Sequence, residues 1–452
     1  MDLATDKQQC LNSLAVSCKG LGVHASQDQL ESIADLIIQS MTGPWRSFHT
    51  PDHIFQVGAG GDEIEVISAL FHDMVYVQVD QGISVNMARY IGPYIQEHNQ
   101  QLIIAGNPEL LNDPLFSLCL LIFGFEQGKP LFPMAGQNEF LSALLAAKVL
   151  EGILPLPVLA QIIACIEATI PFRGPDDKGL TCSDKLYQSL SKANEIYKFS
   201  WSEQDLKKLV ERGVRLSNRD VENFASEHAA HFLDNTWNLI PETNHDLKRV
   251  NTYTVQGYRV SLQKMEGFLN FLKAEIVFRQ YQNEPPLARY EIIMSHAKRN
   301  LEIARFYLGM KLTSIAVLEA LSLRIGRDVS VAMLMGELPV DHAPVIGMEQ
   351  FLPTVMNPIL PVSEIEIEVM SLLELGRTFD SDYDVKNSPI ATFMAKTIGL
   401  SEMKELLGKA RLFFKGELSP ESFLECCPKN LIDSIVASIL KLFQARQNAL
   451  MS

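Results

Sequence analysis

An all-α fold is predicted for this 452-residue chain by the spacing of its apolar residues and by the scarcity of anything else. Apolar positions recur at three- and four-residue steps along most of the length, whereas alternating strand-like runs are few and short. At 47% hydrophobic and 21% charged residues the composition is that of a globular protein, long enough for two or three domains of roughly 100–200 residues each. Extensive disorder is excluded on the same ground.

Residues 28–41 place Leu30, Ile33, Ile37 and Met41 on one stripe, which defines an amphipathic helix. Thr50 is placed to cap a helix that has Pro51 as its first residue, so His53 falls in the first turn and His49 just ahead of it. Asp62 can cap the next helix. Its Ile64, Ile67, Leu70, Phe71, Met74 and Val75 cover much of the circumference, so it belongs in a core. The same period recurs over 137–152, 157–170, 184–198, 203–213, 218–235, 257–282, 287–308, 311–325 and 402–415. Ser419 and Pro420 then open a final pair of helices running to about residue 447.

Residues 171–183 are polar and rich in Gly and Pro, and read as a loop within the first domain. A join over 241–251, where the texture changes to longer helices, divides the chain into 1–240 and 241–452. Five prolines between 336 and 361 (Pro339, Pro344, Pro353, Pro358, Pro361) mark a further break. The C-terminal half reads as a helical bundle serving dimerisation or regulation. Its Met-rich segment 330–356 (Met333, Met335, Met348, Met356) is a docking or lid candidate, or core filler.

A net charge of −15 argues against nucleic acid as the main partner. No run of about 18 uncharged apolar residues suggests a membrane span, and the most apolar stretch, 144–170, is broken by Lys148, Glu151, Pro155, Pro157 and Glu167. The first residues lack the basic-then-apolar layout of a Sec-type signal. Seven cysteines form no CxxC pair, which fits a reducing compartment; a cytoplasmic location is the expectation.

The chemistry is concentrated in two blocks. Residues 45–57 read WRSFHTPDHIFQV, and 71–76 read FHDMVY. Three of the ten histidines fall within 24 residues here, with Arg46 just ahead of His49 and an apolar helix leading into His72 and Asp73. A buried histidine beside a buried aspartate needs partners, and a divalent cation serves both. Imidazole plus carboxylate suits Mn, Fe, Zn or Ni, and Mg where more waters take part.

The order Arg-x-aromatic-His-x-x-x-His, then apolar-Phe-His-Asp-x-x-Tyr, resembles the HD-domain superfamily of metal-dependent phosphohydrolases. The first block is similar to the matching segment of cyclic nucleotide phosphodiesterases. The resemblance covers roughly residues 25–240 and implies an HD-domain-like helical bundle, with the rest of the chain as an additional helical region. It further implies that His53, His72 and Asp73 are the first three metal ligands, and that His49 protonates the leaving oxygen. The last ligand should be an Asp on a later helix. Asp220 is the best match, with Glu167 as second choice; the rival for Asp220 is a capping box with Ser217 as N-cap and no metal.

Branches with a full binuclear site carry two further histidines between His-Asp and the final Asp, whereas this interval holds only His98, in a polar stretch that reads as surface. One tightly held ion is therefore expected. His228 and His231 either line the cleft or lie on a helix surface. Arg46 is the expected cation for the transferred phosphoryl group, ahead of Arg173, Lys178 and Arg219. The function so implied is hydrolysis of a phosphate ester on a small substrate, a nucleotide among the options. The alternative is a catalytically inactive HD-fold scaffold that binds through its C-terminal helices.

Overall fold

Four helices begin with reciprocal caps. Ser26, Asp62, Thr181 and Ser202 each accept the backbone N–H three residues on, and the side chains of Gln29, Glu65, Asp184 and Asp205 return a bond to the cap backbone. Two donors that a helix end would otherwise leave unsatisfied are thereby used at each. The computed structural model describes residues 3–338 and 345–451, and it is all-α: the described strands are a hairpin, Ile95–His98 paired antiparallel with Gln101–Ile104, and isolated bridges aside the rest is helix and connection. Asn99 and Gln100 turn this hairpin with φ of 52° and 63°, the left-handed pair that a two-residue turn requires.

The chain forms two compact units, residues 1–225 with 273–295 and residues 226–272 with 296–452. The division read near 240 thus differs in two respects. Residues 226–240 group with the second unit, and 273–295 return to the first.

In the first unit the Leu156–Ala168 helix is central. It packs against Glu63–Phe71, Pro114–Phe123, Gln137–Val149, Cys182–Tyr197 and Glu203–Asp220. Apolar residues surround it on nearly every side from Leu159 to Ala168, as a helix buried all round must have. Gly213 allows Glu203–Asp220 to lie close, since a Cβ there would meet the Ala168 Cβ at 2.9 Å. A Leu3–Gly20 helix, which the apolar spacing did not announce, packs on Gln27–Met41 and Glu63–Phe71. Residues 171–181 form the expected loop, with Asp176 accepting the Lys178 and Leu180 N–H groups.

Several expected boundaries are corrected. Helix 203–213 extends to Asp220, and 218–235 is not one helix: a short 3₁₀ turn, Glu222–Ala225, precedes Ala229–Leu239. Ser217 is therefore buried inside a helix and Asp220 ends it, so the capping-box reading of the pair fails. Segments 287–308 and 311–325 are one 38-residue helix, Leu287–Arg324. By length and composition this helix could cross a membrane, which the sequence reading missed, but 89% of its most apolar stretch is buried inside the protein.

In the second unit Val255–Phe271, Glu364–Glu374, Pro389–Phe414 and the final pair Pro420–Cys426 and Lys429–Met451 build the helical core. Gly399, at φ 83°, kinks Pro389–Phe414. Asp384, half-buried there, accepts from Lys311 Nζ (2.8 Å), Tyr258 Oη (2.7 Å) and Trp237 Nε1 (2.8 Å). Of the expected proline break, Pro339 and Pro344 lie outside the described residues; the remainder holds a 3₁₀ turn, Met348–Phe351. The methionines there divide, with Met348 in the core and Met356 83% exposed. Six of the seven cysteines are buried, Cys426 being exposed, and all are free thiols.

Candidate metal centre

Thr50 adopts extended backbone ahead of Pro51–Gly58 and Pro51 takes the first helical position; the Thr50 hydroxyl makes no capping bond, so proline sets the start. His53 sits in that first turn, buried. The Glu63–Phe71 helix ends at Phe71, and His72 and Asp73 occupy the turn that follows rather than the helix itself. Asp220 arrives as the last residue of Glu203–Asp220.

Three arginines on one stripe of that helix fix the approach. Arg212 Nε donates to Asp62 Oδ2 at 2.7 Å, Arg215 Nε to Glu65 Oε1 at 2.7 Å, and Arg219 Nη2 to Glu65 Oε2 at 3.0 Å while its Nε donates to the Val57 carbonyl at 2.8 Å. Glu65 is only 2% exposed, so its two arginine partners are a requirement of its burial. The helix carrying Asp220 is thereby tied to both helices that lead to the histidines. Arg219 is spent on this and is withdrawn as a phosphoryl ligand.

His53, His72, Asp73 and Asp220 each offer one donor atom, all lying within 4.8 Å of one another. His72 Nε2 is 2.9 Å from Asp73 Oδ2 and 3.3 Å from Asp220 Oδ1; His53 Nε2 is 3.3 Å and 3.1 Å from the same two oxygens. His72 Nδ1 is 2.7 Å from the Ala69 carbonyl, which can only accept, so the neutral ring carries its proton on Nδ1 and presents a bare Nε2. Two imidazole nitrogens and two carboxylate oxygens therefore converge.

A convergence of this kind is stable only with positive charge inside it. Burial disfavours charge on all four groups, yet Asp73 and Asp220 overcome it and hold the His72 ring well above its usual range, and His53 above its own. Conversely, despite burial, the histidines hold Asp73 well below the usual carboxylate range and Asp220 below it. His53 Nε2 remains buried without an aligned hydrogen bond. A divalent cation resolves these conditions together. Bonds of about 2.0–2.2 Å place neighbouring ligand atoms about 3 Å apart, which matches the separations found. The donors fit such an ion, and its double charge balances two carboxylates.

His49 stands beside the cluster rather than in it. Its Nε2 is 3.9 Å from Asp73 Oδ2, and its ring meets Tyr76 edge-on at 4.5 Å. Arg46 requires correction. Its side chain is 0% exposed, and its N–H groups go to Asp80 (Nε–Oδ1 3.0 Å, Nη2–Oδ2 2.6 Å), to the Asp73 and Met74 carbonyls (2.8 and 3.1 Å) and to Met41 sulfur (3.0 Å). All five guanidinium donors are committed, so none is left for a phosphoryl oxygen. Arg46 instead holds the turn that aims Asp73.

Glu167, the second choice for the last ligand, is not in the cluster: Arg173 Nη1 meets its Oε1 at 2.5 Å and Arg173 Nη2 its carbonyl at 2.9 Å. Lys178 is exposed on the loop, His98 is exposed on the hairpin, and His228 and His231 are exposed residues of the second unit. Two residues escaped the sequence reading. Glu139, in the first turn of Gln137–Val149, feels the charges of Asp73 and Asp220. Arg279 exchanges hydrogen bonds with Asn218 (2.9 Å each way), two residues before Asp220, and its guanidinium donates to the Ala168 and Ile170 carbonyls. Neither lies in a pattern a sequence would advertise. No family model, curated protein or solved structure matches this chain.

Proposed function

We propose that the first unit is an HD-type metal-dependent phosphohydrolase acting on a small phosphate ester. The observation that carries this reading is the four-donor cluster, built from the two blocks that resemble the superfamily and completed by Asp220. A divalent ion of the Mn, Fe, Zn, Ni or Mg type, when bound, supplies Lewis acidity toward a phosphoryl oxygen and makes water more acidic.

The chain's own residues divide the remaining work. His53 and His72 give neutral nitrogen donors, the latter fixed in tautomer by the Ala69 carbonyl. Asp73 and Asp220 give anionic oxygens, one from the turn after Glu63–Phe71 and one from the end of Glu203–Asp220. His49, in its imidazolium form, donates a proton to the departing alkoxide, a step that esters with poor leaving groups need. Arg46 and Asp80 keep the Asp73 turn in place. The net charge of −15 favours substrates whose negative charge can sit at the cation, and so small esters over polyanions.

Metal analysis of protein purified without chelator, paired with assays on aryl phosphomonoesters and phosphodiesters, tests this directly. Near-stoichiometric metal and turnover are expected, and both should be lost in His72→Ala and Asp73→Ala. Wild-type protein with neither metal nor hydrolysis would favour the inactive scaffold.

A further inference from the structure

The Gln137–Val149 helix is fastened to the backbone just beyond Asp73. Asn138 Oδ1 accepts from Val77 N at 3.2 Å, its Nδ2 donates to Gln78 Oε1 at 2.9 Å, and Ser142 Oγ accepts from Val75 N at 3.0 Å. Between these two anchors stands Glu139. Its Oε2 is buried and has no hydrogen-bond partner, and the charges it feels are those of Asp73, Arg173 and Asp220. Burial pushes the carboxyl up to about 7, with Asp73 and Asp220 adding in the same direction.

We propose that Glu139 is the proton acceptor of the centre: its carboxylate holds the attacking water by a hydrogen bond and takes the proton from it. The proposal rests on the phosphohydrolase reading and names the base that reading lacks. The water oxygen forms its bond to phosphorus, and the bond from phosphorus to the leaving oxygen breaks with its electron pair. The water's proton passes to Glu139, and the leaving oxygen takes a proton from His49.

The other nearby acids are less suited. Asp73 and Asp220 point their oxygens at the histidine nitrogens, where the cation would occupy their lone pairs. Glu167 Oε2 is likewise buried without a partner, but its carboxylate is paired with Arg173, whereas Glu139 faces the charges of both Asp73 and Asp220 with its buried oxygen unused.

Full-length wild-type, Glu139→Gln and Glu139→Asp proteins loaded with Mn²⁺ provide the test, with an aryl phosphomonoester and an aryl phosphodiester as substrates. Metal content, kcat, KM and melting temperature are measured, together with the visible spectrum of the Co²⁺-loaded forms at one pH. In Glu139→Gln, kcat should fall by about 10²–10⁴-fold, the usual worth of general base catalysis. KM should stay within about threefold. Metal content should be unchanged, the melting temperature equal or higher, and the Co²⁺ spectrum altered. Glu139→Asp should recover part of kcat. A kcat within threefold of wild type overturns the proposal alone. Loss of metal or a markedly lower melting temperature in Glu139→Gln also overturns it, since the residue is then a ligand or a prop. Fully metallated wild type without turnover overturns the phosphohydrolase reading, and the proton transfer with it.

Discussion

His49 and His53 stand four residues apart, yet only His53 brings its nitrogen to both carboxylates, at 3.1 and 3.3 Å; His49 reaches Asp73 alone, at 3.9 Å. The difference lies in backbone: His53 is fixed by a helical turn that Pro51 starts, while His49 precedes the helix. Replacing His49 by Ala should therefore leave metal stoichiometry intact. It should slow alkyl phosphate esters by about 10²–10⁴-fold, and activated aryl esters far less, because only the former need a proton on the departing oxygen. Loss of metal in that variant would make His49 a ligand and refute the division of labour. At this scale the sequence was informative where chemistry and spacing coincide. His53, His72 and Asp73 fall in two dense blocks, whereas Glu139 sits in an ordinary apolar helix whose only distinction, an unpartnered oxygen, is a property of the folded chain.

At the level of elements, what aims the candidate ligands is a set of arginines, of which the sequence reading named two, Arg46 and Arg219, as cations for the substrate. Arg212, Arg215 and Arg219 bind the Glu203–Asp220 helix to Asp62, Glu65 and the Val57 carbonyl, and Arg46 braces the Asp73 turn. The boundary of that helix was hidden by Gly213, which reads as a breaker but serves close packing against Ala168. Once Ser217 became helix interior, Asp220 lost its capping role and took the end of a rod pointing at the histidines. Many helices were legible from the apolar period, though not Leu3–Gly20, Pro114–Phe123 or Glu364–Glu374, while continuity depended on tertiary contacts the period does not encode. The Arg46 brace has a measurable signature. Arg46→Ala should cost about 3–5 kcal/mol, as breaking a buried pair does, and should weaken metal binding by misplacing Asp73. A phosphoryl clamp would instead raise KM while leaving stability and metal affinity as they were, so equilibrium unfolding and metal titration of Arg46→Ala decide between the roles.

For the molecule as a whole, the order of residues along the chain is a poor guide to which unit they build. All four candidate ligands precede residue 240, so a fragment 1–240 contains every residue of the candidate centre and matches the division that the change of texture suggested. It lacks residues 273–295, which belong to the first unit and bury Ala274, Val277 and Phe278. Within them Arg279 closes two bonds with Asn218 and caps the carbonyls at the end of Leu156–Ala168. Two amide bonds at about 1 kcal/mol each and two apolar side chains at about 1.5–3 kcal/mol each put the loss near 5 kcal/mol or more. For a unit of this size that corresponds to a fall in melting temperature of about 10–20 °C. The fragment should accordingly melt lower than the full chain and bind Mn²⁺ more weakly, despite having all the ligands. The comparison is made by calorimetry and equilibrium dialysis on the two proteins. A fragment that binds one equivalent of metal as tightly as the full chain, with an equally sharp transition, would show that 273–295 is dispensable to the centre and restore the boundary near 240.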